Sequence, residues 1–270
     1  MFIRFRSQAE QTVSRVSEKV FTMQFIDIHS HILPYLDDGA FSRDDALEMA
    51  KIADENAISE IVCTAHASAG SRYSANELAA TLRHTAERIE KSGCAVRLRP
   101  GQEILIRGDA PEVVSALERG SLLTLAGSRY VLIEFKISSH SGDILNAAET
   151  VAAGGFVPVI AHPERYAAFA ENPGLAHSLH ACGALLQINK GSVTGYFGKT
   201  AEIAVKRLLE NRQADFLASD AHSPFGRTPE IRSAHEWISV HCSPEYADHL
   251  AFTNPSRVLR DETVCPVHRS

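Results

Sequence analysis

Histidines and carboxylates stand at the ends of most of the buried strands that this sequence predicts. Seven apolar stretches have the length and composition of buried strands, and six of them lead into side chains that can bind a hard or borderline metal ion. Only the stretch from Leu185 to Ile188 ends without an obvious ligand. The side chains at the other strand ends are His29, His31, His66, Glu103, Glu134, His162, Asp220 and His222. Because the carboxyl ends of parallel strands share one face of an α/β fold, we expect several metal ions at one mouth.

Two pairs of these residues have a spacing of two, His29 with His31 and Asp220 with His222. In extended backbone this spacing points both side chains to the same side, so each pair can hold one ion together. The first pair is followed by Asp37-Asp38-Gly39. We expect one of these two aspartates to form the turn before the glycine and the other to face the site.

The acids Glu103 and Glu134 are flanked by apolar residues. A buried, unpaired carboxylate is costly, so each needs a cation, a metal ion or a hydrogen-bond network. For either residue alone, a structural ion pair and a metal-ligand role both stay open. The number of histidines and acids at strand ends favours metal. His162 is followed by Pro163, which fixes the turn, and by Arg165, which we expect to point at the mouth.

Helical patterns separate the predicted strands. Ser42 precedes a helix with acids in its first turn, and Asn76 to Glu90 is a long helical stretch that Gly93 can end. Further helical windows lie near 144–153, 175–181, 200–211 and 229–240, with short helices near 244–250 and 255–259. This alternation predicts a mostly parallel sheet with helices outside. Ligands from nearly every strand end favour a distorted, TIM-like (β/α)7 barrel over an open sheet, in which they would cluster at one switch point.

Composition and length agree with one α/β domain that binds no nucleic acid. The chain has 270 residues and a formal net charge of −6, and no run of Lys or Arg suggests a nucleic-acid surface. No apolar run approaches the roughly 20 residues of a membrane span, and the first residues lack the apolar segment of a secretory signal. Five scattered cysteines predict no disulfide framework and a cytoplasmic location. Residues 1–22 are expected to be a poorly ordered N-terminal extension, and residues 23–270 a single catalytic barrel.

The remaining histidines are expected to play structural roles. Most lie in helical windows, where surface or packing positions are the simplest interpretation: His84, His177, His180, His235, His241 and His249. His140, in the loop after Glu134, is also considered as a residue that touches a substrate.

Several motifs together resemble one enzyme family. The segment from Asp27 to Gly39, with 101–104, 132–135, 162–166, 187–192 and 219–222 in order, resembles the polymerase-and-histidinol-phosphatase (PHP) superfamily. It is most similar to the bacterial manganese-dependent protein-tyrosine phosphatases of capsule and exopolysaccharide loci. The resemblance covers about Phe25 to Leu259 and implies a PHP barrel with three metal ions.

The resemblance also implies which residues hold each ion. One ion would bind His29, His31, Glu103 and Asp220; a second would bind Glu103, as a bridge, with Glu134 and His162; a third would bind Asp38, His66 and His222. The family implies Mn²⁺, although mixed imidazole and carboxylate ligands also suit Fe, Zn or Co. One departure is Ala67, where the family often has a basic residue, and Arg72 could compensate for it on the substrate-binding side.

The implied activity is hydrolysis of phosphotyrosine in proteins by metal-activated hydroxide. Through a membrane-associated tyrosine autokinase as partner, it would regulate exopolysaccharide or capsule synthesis. Arg165 and Arg227 are candidates to bind the phosphate during catalysis, because a guanidinium binds phosphate oxygens bidentately. The alternative for them is an ion pair with Glu164 or Glu230. Lys190 is a further candidate that could instead anchor its loop.

Other phosphatase classes make different demands on the sequence. A cysteine-dependent tyrosine phosphatase needs an arginine six positions after its cysteine, and Cys63, Cys94, Cys182 and Cys242 all lack it. A small-molecule phosphatase acting on a compound such as histidinol phosphate, a phosphodiesterase, and an inactive regulatory binding protein all remain as alternatives. The short loops after His66 and His162 favour an open site, which suits a protein substrate. A homo-oligomer is compatible with the sequence, which fixes neither the substrate nor the native metal.

Overall fold

The computed structural model describes residues 24–71 and 73–264. The predicted extension over residues 1–22 and the candidate substrate residue Arg72 lie outside this part of the chain. Within it, no helix is long and apolar enough to cross a membrane.

The described residues alternate between parallel strands and helices, as the sequence predicted. The strands are β1 (Phe25–Ser30), β2 (Ile58–Cys63), β3 (His66–Ala67), β4 (Arg97–Pro100), β5 (Glu103–Leu105), β6 (Tyr130–Glu134), β7 (Val157–Ala161), β8 (Leu185–Asn189) and β9 (Phe216–Ala218). The helices are α1 (Arg43–Glu55), α2 (Ala75–Lys91), α3 (Ala110–Glu118), α4 (Ser141–Ala153), α5 (Ala167–Glu171), α6 (Leu175–Ala181), α7 (Lys190–Val193), α8 (Lys199–Glu210), α9 (Arg232–His241), α10 (Pro244–Asp248) and α11 (Asn254–Leu259). Short 3₁₀ turns lie at Leu125–Gly127 and Pro163–Arg165, and a π-helical turn spans His249–Thr253.

The strands follow seven chain paths, two of which are interrupted. One sheet has the order β1-β2-β4 and the other β3-β5-β6-β7-β8-β9. Two residues separate β2 from β3, and two separate β4 from β5. The first and last paths meet through an isolated bridge between Ser30 and Ala221, and the Asp220 N–H donates to the His29 carbonyl (2.9 Å). The predicted α/β architecture with seven strand paths is therefore confirmed. Its first and last paths are joined by single contacts instead of a continuous ladder.

Alternating side chains give the strands two apolar faces. Val131 and Ile133 join the larger core, which packs the strands against the helices. Leu132 belongs to a second core with strand residues such as Val159 and Phe216. Because side chains alternate along a strand, Glu134 lies on the same face as Leu132, toward the strand's carboxyl end. Apolar packing therefore fills one part of this inner face, and polar side chains occupy its carboxyl end.

The start of α1 and the end of α2 lie where the sequence predicted them. The Ser42 hydroxyl accepts a hydrogen bond from the Asp45 N–H (3.1 Å) and caps α1. After α2 the chain turns at Gly93, whose φ of 82° is favourable only for glycine. The helices α3, α5 and α7 were not predicted. They have nine, five and four residues, too few turns for a clear apolar period.

Candidate metal centre

All nine side chains predicted as ligands converge at the carboxyl ends of the strands. His29 lies in β1, His66 and Glu103 open β3 and β5, and Glu134 closes β6. The others follow the strands or lie in the loop after β1: His31, Asp38, His162, Asp220 and His222. Each of the nine side chains has a nitrogen or oxygen atom within 3.6 Å of such an atom in another member of the set.

Glu103 lies at the centre of this cluster with its side chain almost fully buried. Its Oε2 is 3.3 Å from His29 Nε2, 3.2 Å from His31 Nε2 and 3.1 Å from His66 Nδ1. Its Oε1 is 2.8 Å from His162 Nε2. One carboxylate therefore faces four imidazoles, the arrangement expected of a bridging ligand.

Three overlapping groups of donor atoms surround this carboxylate: His29, His31 and Asp220; His66, Glu103 and Glu134; and His31, Asp38, His66 and His222. The first contains Asp220 Oδ1, 3.4 Å from His29 Nε2. Asp38 Oδ1 is 3.4 Å from His66 Nε2 and 3.6 Å from His222 Nε2. The groups overlap with the three predicted ligand sets without matching them. Glu103 is absent from the first group, His66 stands in place of His162 in the second, and His31 joins the third, so His162 belongs to none of the three. The Nδ1 of His66 faces Glu103 and Glu134 while its Nε2 faces Asp38.

The chemistry of these atoms fits divalent cations. Glu103 Oε2 and His66 Nδ1 are both buried and lie 3.1 Å apart, but neither forms a hydrogen bond of favourable geometry with any residue that the structure describes. Leaving such polar atoms buried without a partner costs about 1–3 kcal/mol each, more for a charged group. A cation removes that cost, and mixed nitrogen and oxygen donors suit Mn, Fe, Co or Zn.

The shifted pKa values of the clustered residues also favour a cation at this site. Burial opposes ionisation of Glu103, but the neighbouring histidines His29 and His162 hold the pKa of its carboxyl well below the usual range. Burial likewise opposes a charge on His31, yet the neighbouring carboxylates of Asp37 and Glu103 raise its pKa to about 9. For His66, the neighbouring carboxylates of Glu103 and Glu134 outweigh burial and raise the pKa to about 11. Protons thus balance the carboxylates in the absence of metal, and a bound cation would displace them.

Two of the clustered residues have left-handed backbone. His162, directly after β7, has a φ of 35°, and Asp220, two residues after the end of β9, has a φ of 51°. Residues other than glycine rarely adopt this conformation, and it is concentrated at functional sites. Here it turns the chain sharply at the strand end, where the two side chains reach Glu103 and His29.

A second layer of polar side chains orients the first. Asp37 Oδ2 accepts from His31 Nδ1 (2.7 Å), and Gln187 Oε1 accepts from His29 Nδ1 (2.7 Å). Asn189 Nδ2 donates to Asp220 Oδ2 (2.6 Å). Such bonds fix which ring nitrogen faces a metal and raise its basicity. Gln187 and Asn189 come from β8, the strand without an obvious ligand. Their spacing of two within an apolar strand is the sequence signal that indicates a shared polar role.

The two predicted aspartates divide their roles as expected. Asp37 accepts from the Gly39 N–H (2.9 Å) and forms the turn, while Asp38 faces His66 and His222. Asp37 has an additional role that the sequence did not predict, because its Oδ2 also accepts from the His66 N–H (2.8 Å). One carboxylate therefore fixes both His31 and the backbone at His66.

We expect Asp37→Asn to weaken metal binding by about 10- to 100-fold, the usual effect of losing a partner behind a metal-binding histidine. The amide has one oxygen and no charge, so it cannot accept from Gly39, His31 and His66 together. Competition against a fluorescent chelator measures the affinity. Asp54→Asn, on the exposed side of α1, is the matched control. An unchanged affinity in Asp37→Asn would show that Asp37 serves only the turn.

The predicted arginines Arg165 and Arg227 both contact Asp220. Arg227 Nη2 is 2.5 Å from Asp220 Oδ2 and its Nε donates to the Asp220 carbonyl (3.1 Å), while Arg165 Nη1 is 3.5 Å from the same carboxylate oxygen. Among the described residues, neither forms the alternative ion pair with Glu164 or Glu230. Glu164 instead accepts from the Ser192 hydroxyl (2.6 Å). Both guanidiniums also lie over the ring of Phe197, at 4.7 and 5.5 Å from its centre.

The other candidates lie farther from the cluster. Lys190 Nζ is 3.4 Å from the Thr228 hydroxyl and joins the loops after β8 and β9, and burial lowers its pKa. His140 is exposed and precedes α4. His180 and His235 bond to Asp215 (2.8 Å) and Asp248 (2.9 Å), as structural histidines do.

A cavity of about 530 Å³ adjoins the cluster. His66, Glu134 and Asp38 line it on the metal side, and Tyr73, Leu105 and Arg107 line it farther away. Arg107 was not predicted as a site residue.

Comparisons with known proteins point to one family. The family model described as capsular polysaccharide synthesis, CpsB/CapC, matches residues 25–260. The tyrosine-protein phosphatase YwqE of Bacillus subtilis is 36% identical over 243 residues, which cover 88% of this chain and 93% of that protein. The tyrosine-protein phosphatase CpsB of Streptococcus pneumoniae is 30% identical over 245 residues, covering 88% of this chain and all of that protein.

Solved structures agree in fold. One described as YwqE and CpsB, unique metal-dependent tyrosine phosphatases, superposes with a TM-score of 0.82 at 34% identity and covers 90% of this chain and 100% of that chain. A histidinol phosphate phosphatase from Lactococcus lactis superposes with a TM-score of 0.54 at 16% identity, covering 80% of this chain and 93% of that one, and shares the fold.

Proposed function

The chain belongs to the CpsB/CapC family of capsular polysaccharide synthesis, and on that premise we propose that it hydrolyses phosphotyrosine in proteins with the help of divalent metal ions. Its relatives YwqE and CpsB are tyrosine-protein phosphatases, and the solved structure of these two is described as metal-dependent. The cluster of imidazoles and carboxylates around Glu103 supports the metal dependence.

We propose that three ions, most naturally Mn²⁺, are held by the nine clustered side chains. Glu103 would bridge, as its contacts with four imidazoles suggest. Bound ions of this kind neutralise phosphate charge and lower the pKa of water toward about 7. The polar second layer of Asp37, Gln187 and Asn189 keeps the donor atoms in place, so the site needs little reorganisation before reaction.

Arg165 and Arg227 supply positive charge beside the ions. Their side chains are 25% and 23% exposed, so each can turn a guanidinium edge to an arriving phosphate. Their stacking on Phe197 limits the conformations they can adopt. Phosphoryl transfer requires chiefly positioning and charge neutralisation, which these residues provide. The tyrosine phenolate leaves readily because its pKa is about 10, so a dedicated general acid is not required.

One edge of the cluster is exposed to solvent, and this exposure is the main support for a protein substrate. The Asp38 side chain is 71% exposed and that of His66 is 36% exposed, whereas Glu103 and Asp220 are buried. A phosphotyrosine projecting from a protein surface can reach such an edge without entering a closed chamber. A small metabolite would gain little binding surface there, because metabolite sites bury most of their ligand.

The proposal extends to the biological setting that the family description suggests. We propose that the substrate is a tyrosine autokinase whose phosphorylation controls capsule or exopolysaccharide synthesis. Its phosphorylated segment would be dephosphorylated in the cytoplasm, where the free thiols of Cys63, Cys94, Cys182 and Cys242 would stay reduced.

The test compares substrates on Mn²⁺-loaded protein. We expect kcat/KM for a phosphotyrosine peptide to exceed that for histidinol phosphate by at least about tenfold, because only the peptide can use the open edge. Metal analysis of the same preparation gives the number of ions per chain. A preference for histidinol phosphate would favour the small-molecule phosphatase, and no turnover of either compound with Mn, Fe, Co or Zn would favour an inactive binding protein.

A further inference from the structure

Arg107 lines the cavity beside the metal cluster and has no role in the proposed chemistry. Arg107 lies in the loop between β5 and α3, four residues after Glu103. Two hydrogen bonds fix this loop: the Ile106 N–H donates to the Glu134 carbonyl (3.0 Å), and the Arg107 N–H donates to Asp109 Oδ1 (2.7 Å). The residue before Arg107 is thus hydrogen-bonded to the backbone of Glu134, a candidate metal ligand.

The side chain of Arg107 is exposed and unpaired. Across residues 24–71 and 73–264, no carboxylate lies within ion-pair distance of its guanidinium, although the chain has more acids than bases. By contrast, Arg165 and Arg227 both contact Asp220. An unpaired guanidinium on the wall of a cavity is available to a carboxylate or a phosphate of a ligand.

A second depression adjoins the cavity at Arg107. It has a volume of about 460 Å³ and is lined by Phe135, Lys136, Ser139 and Asp143, and Arg107 lines it as well. Arg107 therefore stands between a cavity that reaches His66 and Glu134 and a depression that leads away from them along α4. Because Arg107 lines both, the two adjoin at its side chain and form one path that starts at the metal cluster.

We propose that this path binds the substrate peptide next to the phosphotyrosine, and that Arg107 selects substrates with an acidic residue there. The inference rests on the proposed function and adds a sequence preference to it. An arginine binds a carboxylate with two parallel hydrogen bonds. On a partly exposed wall such a pair contributes up to about 1 kcal/mol, which corresponds to about a fivefold preference in kcat/KM.

The test uses two phosphotyrosine peptides of equal length, one with glutamate and one with glutamine on both sides of the phosphotyrosine. For the wild-type protein we expect the ratio of kcat/KM, acidic over neutral, to be about five. In Arg107→Ala the ratio should fall to about one, and in Arg107→Glu below one. Arg119→Ala, which removes the same charge just after α3 and outside both cavities, should keep the wild-type ratio.

Two results would overturn the inference. One is an unchanged ratio in Arg107→Ala; the other is weakened inhibition by inorganic phosphate in that variant, which would place Arg107 at the phosphate instead. Fluorescence anisotropy of the two peptides measures the same preference without turnover. If the wild type hydrolyses neither peptide, the proposed function fails, and the anisotropy ratio alone then decides whether Arg107 recognises acidic chains.

Discussion

Glu103→Gln is expected to lower kcat/KM for a phosphotyrosine peptide by about a thousandfold and to empty most of the metal centre. The substitution keeps the size of the side chain but removes the negative charge that faces four imidazoles. An amide in this position cannot neutralise cations, and its NH₂ group would point at ring nitrogens. A thousandfold loss corresponds to about 4 kcal/mol of transition-state stabilisation. Turnover and metal analysis of one preparation check these two consequences, and circular dichroism of the same preparation checks that the variant is folded.

The matched control for this variant is Glu118→Gln, which makes the same change at an exposed end of α3. It should keep both metal content and turnover. If Glu103→Gln retained all its ions and its activity, the carboxylate could not be the bridge, and the contacts around it would be structural. A folded variant that loses ions and activity together supports the bridging role. Because the substitution is nearly isosteric, an intact circular dichroism spectrum is the expected result.

The convergence of the nine side chains could be predicted because it depends on one regularity. Parallel strands end on the same face, so residues such as Glu134, His162 and Asp220 meet although they are far apart in sequence. The alternation of buried strands and helices likewise predicted the α/β fold and most helices. These predictions rest on local patterns, namely apolar runs, capping residues and spacings of two, which the chain shows directly. How the nine residues divide among three ions stays a prediction.

Features that depend on contacts between distant segments could not be predicted in this way. Nothing local distinguishes Asp37 as the partner of His31, or shows that Arg165 and Arg227 would share Asp220 instead of pairing with Glu164 and Glu230. The position of Arg107 beside the site could not be predicted either. It lies in the loop before α3, and that nine-residue helix is too short to show a clear apolar period, so the sequence does not define the loop. The bridge between Ser30 and Ala221, at which the first and last strand paths meet, directly follows Asp220, whose left-handed backbone the local sequence does not indicate.

Arg165→Ala is expected to lower kcat/KM by about a hundredfold while metal content stays near that of the wild type. Its guanidinium is 3.5 Å from Asp220 Oδ2, at the limit of a hydrogen bond, so its removal changes the ligand sphere little. What it does remove is a preorganised positive charge near the site of phosphoryl transfer, and loss of one such donor costs about a hundred- to a thousandfold. Inhibition by inorganic phosphate should weaken in parallel, because product and substrate present the same oxygens.

Arg227→Ala is expected to affect metal binding, unlike Arg165→Ala, so the two variants distinguish the roles of the two arginines. Arg227 holds Asp220 through both its Nη2 (2.5 Å) and its Nε (3.1 Å to the carbonyl), so its loss also frees a candidate metal ligand. We therefore expect Arg227→Ala to lose metal affinity as well as turnover, and Arg165→Ala to lose turnover alone. Metal titrations of the two variants measured side by side test this difference. If Arg165→Ala lost its ions instead, Arg165 would support the ion cluster and not the phosphate. The positive charge for the substrate would then have to come from Arg227.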